Sequence, residues 1–149
     1  INGWDYASSY KASRFYMLDA VNKYDSLELL IDLHRDSINK NLSTVDINGK
    51  KYAKVLFVVG LDHNNYEPNL TLANTLNEKI KEKYPGLSRG IMKKKGAGVN
   101  GIYNQDVAGH VILIECGGME NNIEEVMNTV EVLSIIISEH LGGQNESGG

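Results

Sequence analysis

The chain alternates between stretches of helical period and short, almost continuous apolar runs. Tyr6, Tyr10, Met17, Val21 and Tyr24, with Leu18 beside them, fall on one helix face over about residues 6–24, and Asp5 is placed to cap its start. Leu27, Leu29, Leu30, Ile31 and Leu33 then form a segment too short for an average helix, which predicts a buried strand ending at His34. A polar stretch over 37–50 contains Asn48-Gly49, a tight-turn pair, and leads into a second interior strand predicted over 52–59. A third strand is predicted over 111–116, with Glu115 near its far end.

Between these runs lie two more helices. Asn69 is a candidate cap for one carrying Leu72, Ala73, Leu76 and Ile80 on one face, stopped by Tyr84-Pro85-Gly86. The last helix opens on Asn122 and Glu125, the pair required for a capping box. Its apolar ladder runs through Ile123, Val126, Met127, Val130, Leu133, Ile136 and Ile137, and Gly142-Gly143 are expected to stop it. Residues 144–149 read as a flexible tail. The stretch 88–109 holds five glycines and three consecutive lysines, and predicts a long connection with a short strand near 87–92. Apolar strands separated by amphipathic helices indicate one α/β domain over residues 1–143: three layers, with a largely parallel central sheet flanked by helices.

Composition narrows the function. With 42% hydrophobic and 23% charged residues and two prolines among 149, the chain is one that folds. Fifteen basic against 19 acidic residues give a formal charge of -4, so no broad positive field exists to gather a polyanion, and nucleic acid is excluded as a default partner. The single Cys116 allows no intrachain disulfide and no thiol-rich zinc site. No apolar run reaches membrane-spanning length, and Ile1-Asn2-Gly3 does not open a signal peptide. A start at Ile1 rather than Met reads as an excised domain or processed product.

His34 and Glu115 are the sharpest chemical pair. Each comes at a strand end, where open α/β sheets place ligands, and in parallel neighbouring strands both would face one cleft. The imidazole could ligate a metal and the carboxylate could take a proton from water. The plainer alternative is a local ion-pair cluster, since His34 sits among Asp32, Arg35 and Asp36. His63 lies in a polar loop, His140 in the last helical turn, and His110 about a strand's length from Glu115, where a structural hydrogen bond explains it. Lys93-Lys94-Lys95-Gly96-Ala97-Gly98 lacks the phosphate-loop arrangement and reads as a solvated loop. Cys116 reads as a buried cysteine rather than a nucleophile.

Taken together, Ile31-Asp32-Leu33-His34-Arg35-Asp36, Val55-Leu56-Phe57-Val58-Val59-Gly60, Tyr103-Asn104-Gln105-Asp106 and Ile114-Glu115-Cys116-Gly117-Gly118 resemble the stage II sporulation protein P family. Ser9-Tyr10-Lys11-Ala12-Ser13-Arg14 and Arg89-Gly90-Ile91 support the match, which covers roughly residues 6–141. The resemblance implies a zinc-dependent N-acetylmuramoyl-L-alanine amidase acting on peptidoglycan during engulfment. It makes His34 a zinc ligand and Glu115 the catalytic glutamate, and places Arg35, Asn104, Gln105 and His110 around the substrate cleft. It implies an extracytoplasmic location at the sporulation septum or intermembrane space, sporulation cell-wall machinery as partners, and any membrane anchor outside this chain.

The family's further histidine and carboxylate zinc ligands have no matching positions here. Additional ligands are therefore expected before Ile1, in an incomplete amidase-like domain with an uncovered sheet edge. A completing N-terminal segment or a homo-oligomer would cover that edge. Two alternatives stand beside this one: His63 or His110 completes an unusual metal site, or the domain is a noncatalytic peptidoglycan-binding or structural interaction module.

Overall fold

The two longest apolar runs become neighbouring central strands. In the computed structural model, which describes residues 8–146, the elements are α1 (Ser9–Lys23), β1 (Leu30–Asp36), α2 (Lys40–Ser43), β2 (Thr44–Ile47), β3 (Lys50–Ala53), β4 (Val55–Gly60), α3 (Tyr66–Lys83), β5 (Ser88–Lys94), β6 (Val111–Gly118) and α4 (Ile123–Glu146). Asp5 and Tyr6, assigned above to the first helix, lie outside the described residues.

The four-stranded sheet has the order β1-β6-β4-β5. β1 runs parallel to β6 and β4 parallel to β5, while β4 and β6 meet antiparallel, so the sheet is largely parallel with one antiparallel joint. The C-terminal ends of β1 and β6 therefore lie at the edge where β4 and β5 begin.

Strand alternation sorts the core into two faces. Val55, Phe57 and Val59 of β4, with Ile112 and Ile114 of β6, pack under Leu76 and Ile80 of α3 and Leu133 and Ile136 of α4. On the opposite face Leu56, Val58 and Leu113 form a smaller cluster beneath Tyr10 of α1 and Tyr103. Helices thus flank both faces, as the pattern of elements predicts, but the α1 face is much more thinly covered.

Several local expectations are revised. Among the described residues the run before His34 is not an interior strand: β1 lies at one edge of the sheet, and Ile31 and Leu33 are 45% and 50% exposed while the alternate residues turn inward. An apolar run shows that a segment buries surface, not how many neighbours it has. The strand predicted over 52–59 breaks at Lys54 into β3 and β4, and β3 pairs with β2 in a hairpin about Asn48-Gly49. Both turn residues have positive φ, 54° and 81°, which suits a two-residue hairpin turn.

Asn69 does not cap α3, which starts three residues earlier; Pro68 is tolerated there because it falls in the first helical turn. Asn69 is instead buried, donating to the carbonyls of Gln105 (2.8 Å) and Ala108 (3.2 Å) and accepting from Val111 N–H (3.0 Å). β5 is longer than expected, reaching Lys94.

The capping box at α4 forms as its spacing requires: Glu125 N–H donates to Asn122 Oδ1 (2.8 Å), and Asn122 N–H to Glu125 Oε2 (3.1 Å). α4 then runs through Gly142-Gly143 to Glu146, past the predicted stop. Neither glycine has the positive φ of a helix-ending turn. Its buried face comprises Glu125, Thr129, Val132, Leu133 and Ile136, whereas Ile123 and Met127 of the expected ladder are exposed. Asn122→Ala should cost about 1 kcal/mol by removing the cap, read as a fall of roughly 3 °C in Tm.

Candidate functional site

His34 and Glu115 are register partners across the parallel β1–β6 pair. Partners in adjacent strands project to the same face, so the two side chains stand side by side on the thinly covered α1 face. Alternation brings Asp32 and Asp36 of β1 to that face as well, above the Leu56, Val58 and Leu113 cluster.

The imidazole is held from two directions. His34 Nε2 lies 2.9 Å from Asp32 Oδ1, and the ring stacks on Tyr10 with centroids 5.6 Å apart and an interplanar angle of 26°. Its pKa is raised, chiefly by the Asp32 hydrogen bond, against the opposing effect of burial, with the Asp32 and Glu115 charges adding to the rise. Glu115 is also pushed upward: burial is the main cause, Asp36 and Asp32 reinforce it, and His34 and Arg89 oppose it. Glu115 Oε2 and Asp32 Oδ2 are buried with no hydrogen-bond partner among the described residues. A buried carboxylate oxygen in that state is a strong acceptor for whatever binds beside it.

Arg89 Nη1 closes the rim with an ion pair of 2.8 Å to Asp36 Oδ2. Arg35, on the alternate face of β1, donates to the carbonyls of Gly118 (2.9 Å) and Asn121, fixing the turn from β6 into α4. Burial pushes the Cys116 thiol up to about 11, which leaves little thiolate near neutrality.

The segment 100–106 crosses this face, pinned at nearly every residue. Asn104 and Gln105, both assigned above to a substrate cleft, are buried and committed to structure. Asn104 Nδ2 donates to Tyr10 O (2.8 Å) and Ser13 Oγ (2.9 Å). Gln105 Nε2 donates to Val58 O (2.7 Å), and its Oε1 accepts from Gly60 N–H (3.0 Å). Arg14 makes a two-pronged pair with Asp106, 2.7 and 2.8 Å, which holds the Asp106 carboxyl below its ordinary range. Between the anchors, Tyr103 and Asn104 both adopt positive φ, 51° and 57°. For a bulky residue such as Tyr this is a strained conformation, with a cost on the order of 1–3 kcal/mol.

His110 and His63 stand elsewhere. His110 precedes β6 and accepts Leu30 N–H at its carbonyl (2.9 Å), five residues and about 17 Å of strand from Glu115. His63 follows the C-terminal end of β4, while Leu56 near the start of that strand is the partner of Glu115. Both histidines thus lie at the opposite end of the sheet from His34.

His34, Asp32 and Glu115 offer the nitrogen and oxygen donors that zinc accepts. Among the described residues, however, no three His, Cys, Asp or Glu side chains are placed to hold one metal ion. The described donor set alone therefore does not fit a zinc centre. Asp32 was legible as a same-face neighbour of His34 from its spacing of two in a strand. The placements of Tyr103 and Arg89 carried no comparable signal.

The sequence profile of the stage II sporulation protein P family matches residues 1–138. The chain belongs to that family. Stage II sporulation protein P of Bacillus subtilis (strain 168) is 42% identical over 137 residues, which is 92% of this chain and 34% of that protein. This family member thus spans about a third of the length of the curated relative it matches. No solved structure matches it. Among the described residues, no helix is long and apolar enough to cross a membrane.

Proposed function

We propose that this domain of the stage II sporulation protein P family contributes the catalytic face of a peptidoglycan hydrolase. The bond cleaved is the amide between N-acetylmuramic acid and L-alanine, opened at an extracytoplasmic site such as the sporulation septum. The supporting observation is the side-by-side placement of His34 and Glu115 on the α1 face of the sheet, with buried carboxylate oxygens of Asp32 and Glu115 that have no hydrogen-bond partner among the described residues. Burial makes Glu115 a better proton acceptor than an exposed glutamate. In this reading Glu115 takes a proton from the attacking water and returns it to the leaving amine. His34 is oriented by Asp32 and Tyr10. If zinc takes part, His34 is its donor from this face and the other donors come from beyond the described residues.

Incubating purified peptidoglycan with the full-length protein, with and without added zinc, tests the proposal. The expected products are stem peptides with new L-alanine amino termini and glycan strands with free lactyl carboxylates. Retention on the polymer with no new amino termini would sink the hydrolase reading in favour of a noncatalytic binding module.

A further inference from the structure

We infer that Tyr103 is a catalytic residue of this same site: its phenol O–H donates a hydrogen bond to the carbonyl oxygen of the scissile amide as that oxygen gains negative charge. The inference rests on the hydrolase reading above and adds to it the group that receives the developing charge.

Tyr103 and Asn104 are consecutive non-glycine residues at positive φ, a combination that persists only where the surroundings over-determine it. They do so here. Asn100 Oδ1 accepts the N–H groups of Ile102 (3.1 Å) and Tyr103 (3.0 Å) on one side. On the other side Asn104 is tied to α1, Gln105 to β4, and Asp106 to Arg14. Gly60 and Gly101 meet so closely that a side chain on Gly60 would collide with the Gly101 carbonyl. Strain held this firmly at a single aromatic residue calls for an account of what the residue presents.

It presents a phenol to the site. The Tyr103 ring packs over the Leu56, Val58 and Leu113 cluster and meets Tyr10 edge-on, with centroids 5.8 Å apart and an interplanar angle of 67°. Tyr10 in turn stacks on His34. Tyr103, Tyr10, His34 and Glu115 thus border one surface. Asn104, Gln105 and Asp106 spend their side chains on structure, while the Tyr103 hydroxyl has no hydrogen-bond partner among the described residues. Burial, and then the Glu115 charge, raise the Tyr103 pKa, so the phenol keeps its proton near neutrality and serves as a donor rather than a base.

A protonated donor on the same face as a carboxylate base is a pairing that serves amide hydrolysis. Water oxygen bonds to the carbonyl carbon as Glu115 takes a water proton. The carbonyl π pair moves onto oxygen, where the Tyr103 O–H holds it. When that pair returns, the C–N bond breaks and the amine nitrogen takes the proton from Glu115. Tyr103 keeps its own proton throughout, and the products are a carboxylic acid and an amine.

Tyr103→Phe in the full-length protein tests this, because the ring and its packing remain. The expected result is a kcat about 100-fold lower on peptidoglycan, with KM within about twofold and an unchanged melting curve. Binding of a phosphinate analogue of the scissile amide, which carries the tetrahedral anion permanently, should weaken about 100-fold, while binding of the cleaved stem-peptide and glycan products stays the same. A kcat within about twofold of wild type, or undiminished phosphinate binding, overturns the role of Tyr103 alone. A wild-type protein that releases no stem peptides overturns the hydrolase reading, and this inference with it.

Discussion

Glu115→Gln in the full-length protein is expected to lower the hydrolytic rate by about 100- to 10,000-fold without unfolding the domain. Glutamine keeps the volume and the polar atoms of the side chain but cannot take a proton from water. Stability should hold or improve at neutral pH, because burial and the nearby Asp32 and Asp36 charges disfavour the ionised carboxylate. The sign follows from linkage: a carboxyl whose folded pKa lies above its unfolded value contributes stability at low pH, and loses it as pH rises through the folded pKa. The variant should therefore gain stability relative to wild type as pH is raised from 4 towards 7, measured by denaturant midpoints. The acid limb of the wild-type kcat/KM profile should also fall above the ordinary glutamate range. A variant that retains wild-type kcat would remove Glu115 from the chemistry.

Gln105→Met is expected to cost about 2–5 kcal/mol, by leaving two buried backbone groups without partners. β6 pairs with β4 only as far as Val58, and beyond that point the Gln105 side-chain amide substitutes for the missing strand by serving Val58 O and Gly60 N–H. Methionine fills the space and satisfies neither. The denaturant midpoint should fall with little change in its slope. If Gln105 were instead a substrate contact, as its place in a family motif suggested, affinity for peptidoglycan would drop while the midpoint stayed put.

That contrast shows where the sequence was informative and where it was not. Continuous apolar runs identified β4 and β6, and the Asn122-Glu125 spacing identified the start of α4, because each signal is local. The side-by-side placement of His34 and Glu115 needed the strand order, which no local pattern contains. β1 looked interior because Leu30, Ile31 and Leu33 are apolar, yet its position beyond β6 leaves two of them half exposed. Asn69 has a cap's chemistry and serves the backbone, but of Gln105, Ala108 and Val111 rather than of its own helix. Tyr103 depends on anchors from α1 and β4, so its strained conformation was invisible before those elements were assembled.

The sheet order also gives the two halves of the site different lifetimes. β6 is hydrogen-bonded on both sides, whereas among the described residues β1 has a ladder on one side only. Opening β1 releases Asp32 and His34 at a fraction of the free energy needed to unfold the domain, while Glu115 stays rooted in the centre. If β1 keeps a ladder on one side only, it sets how long the assembled pair persists, and a ligand that bridges His34 and Glu115 acts as a clasp that slows the fraying of this strand.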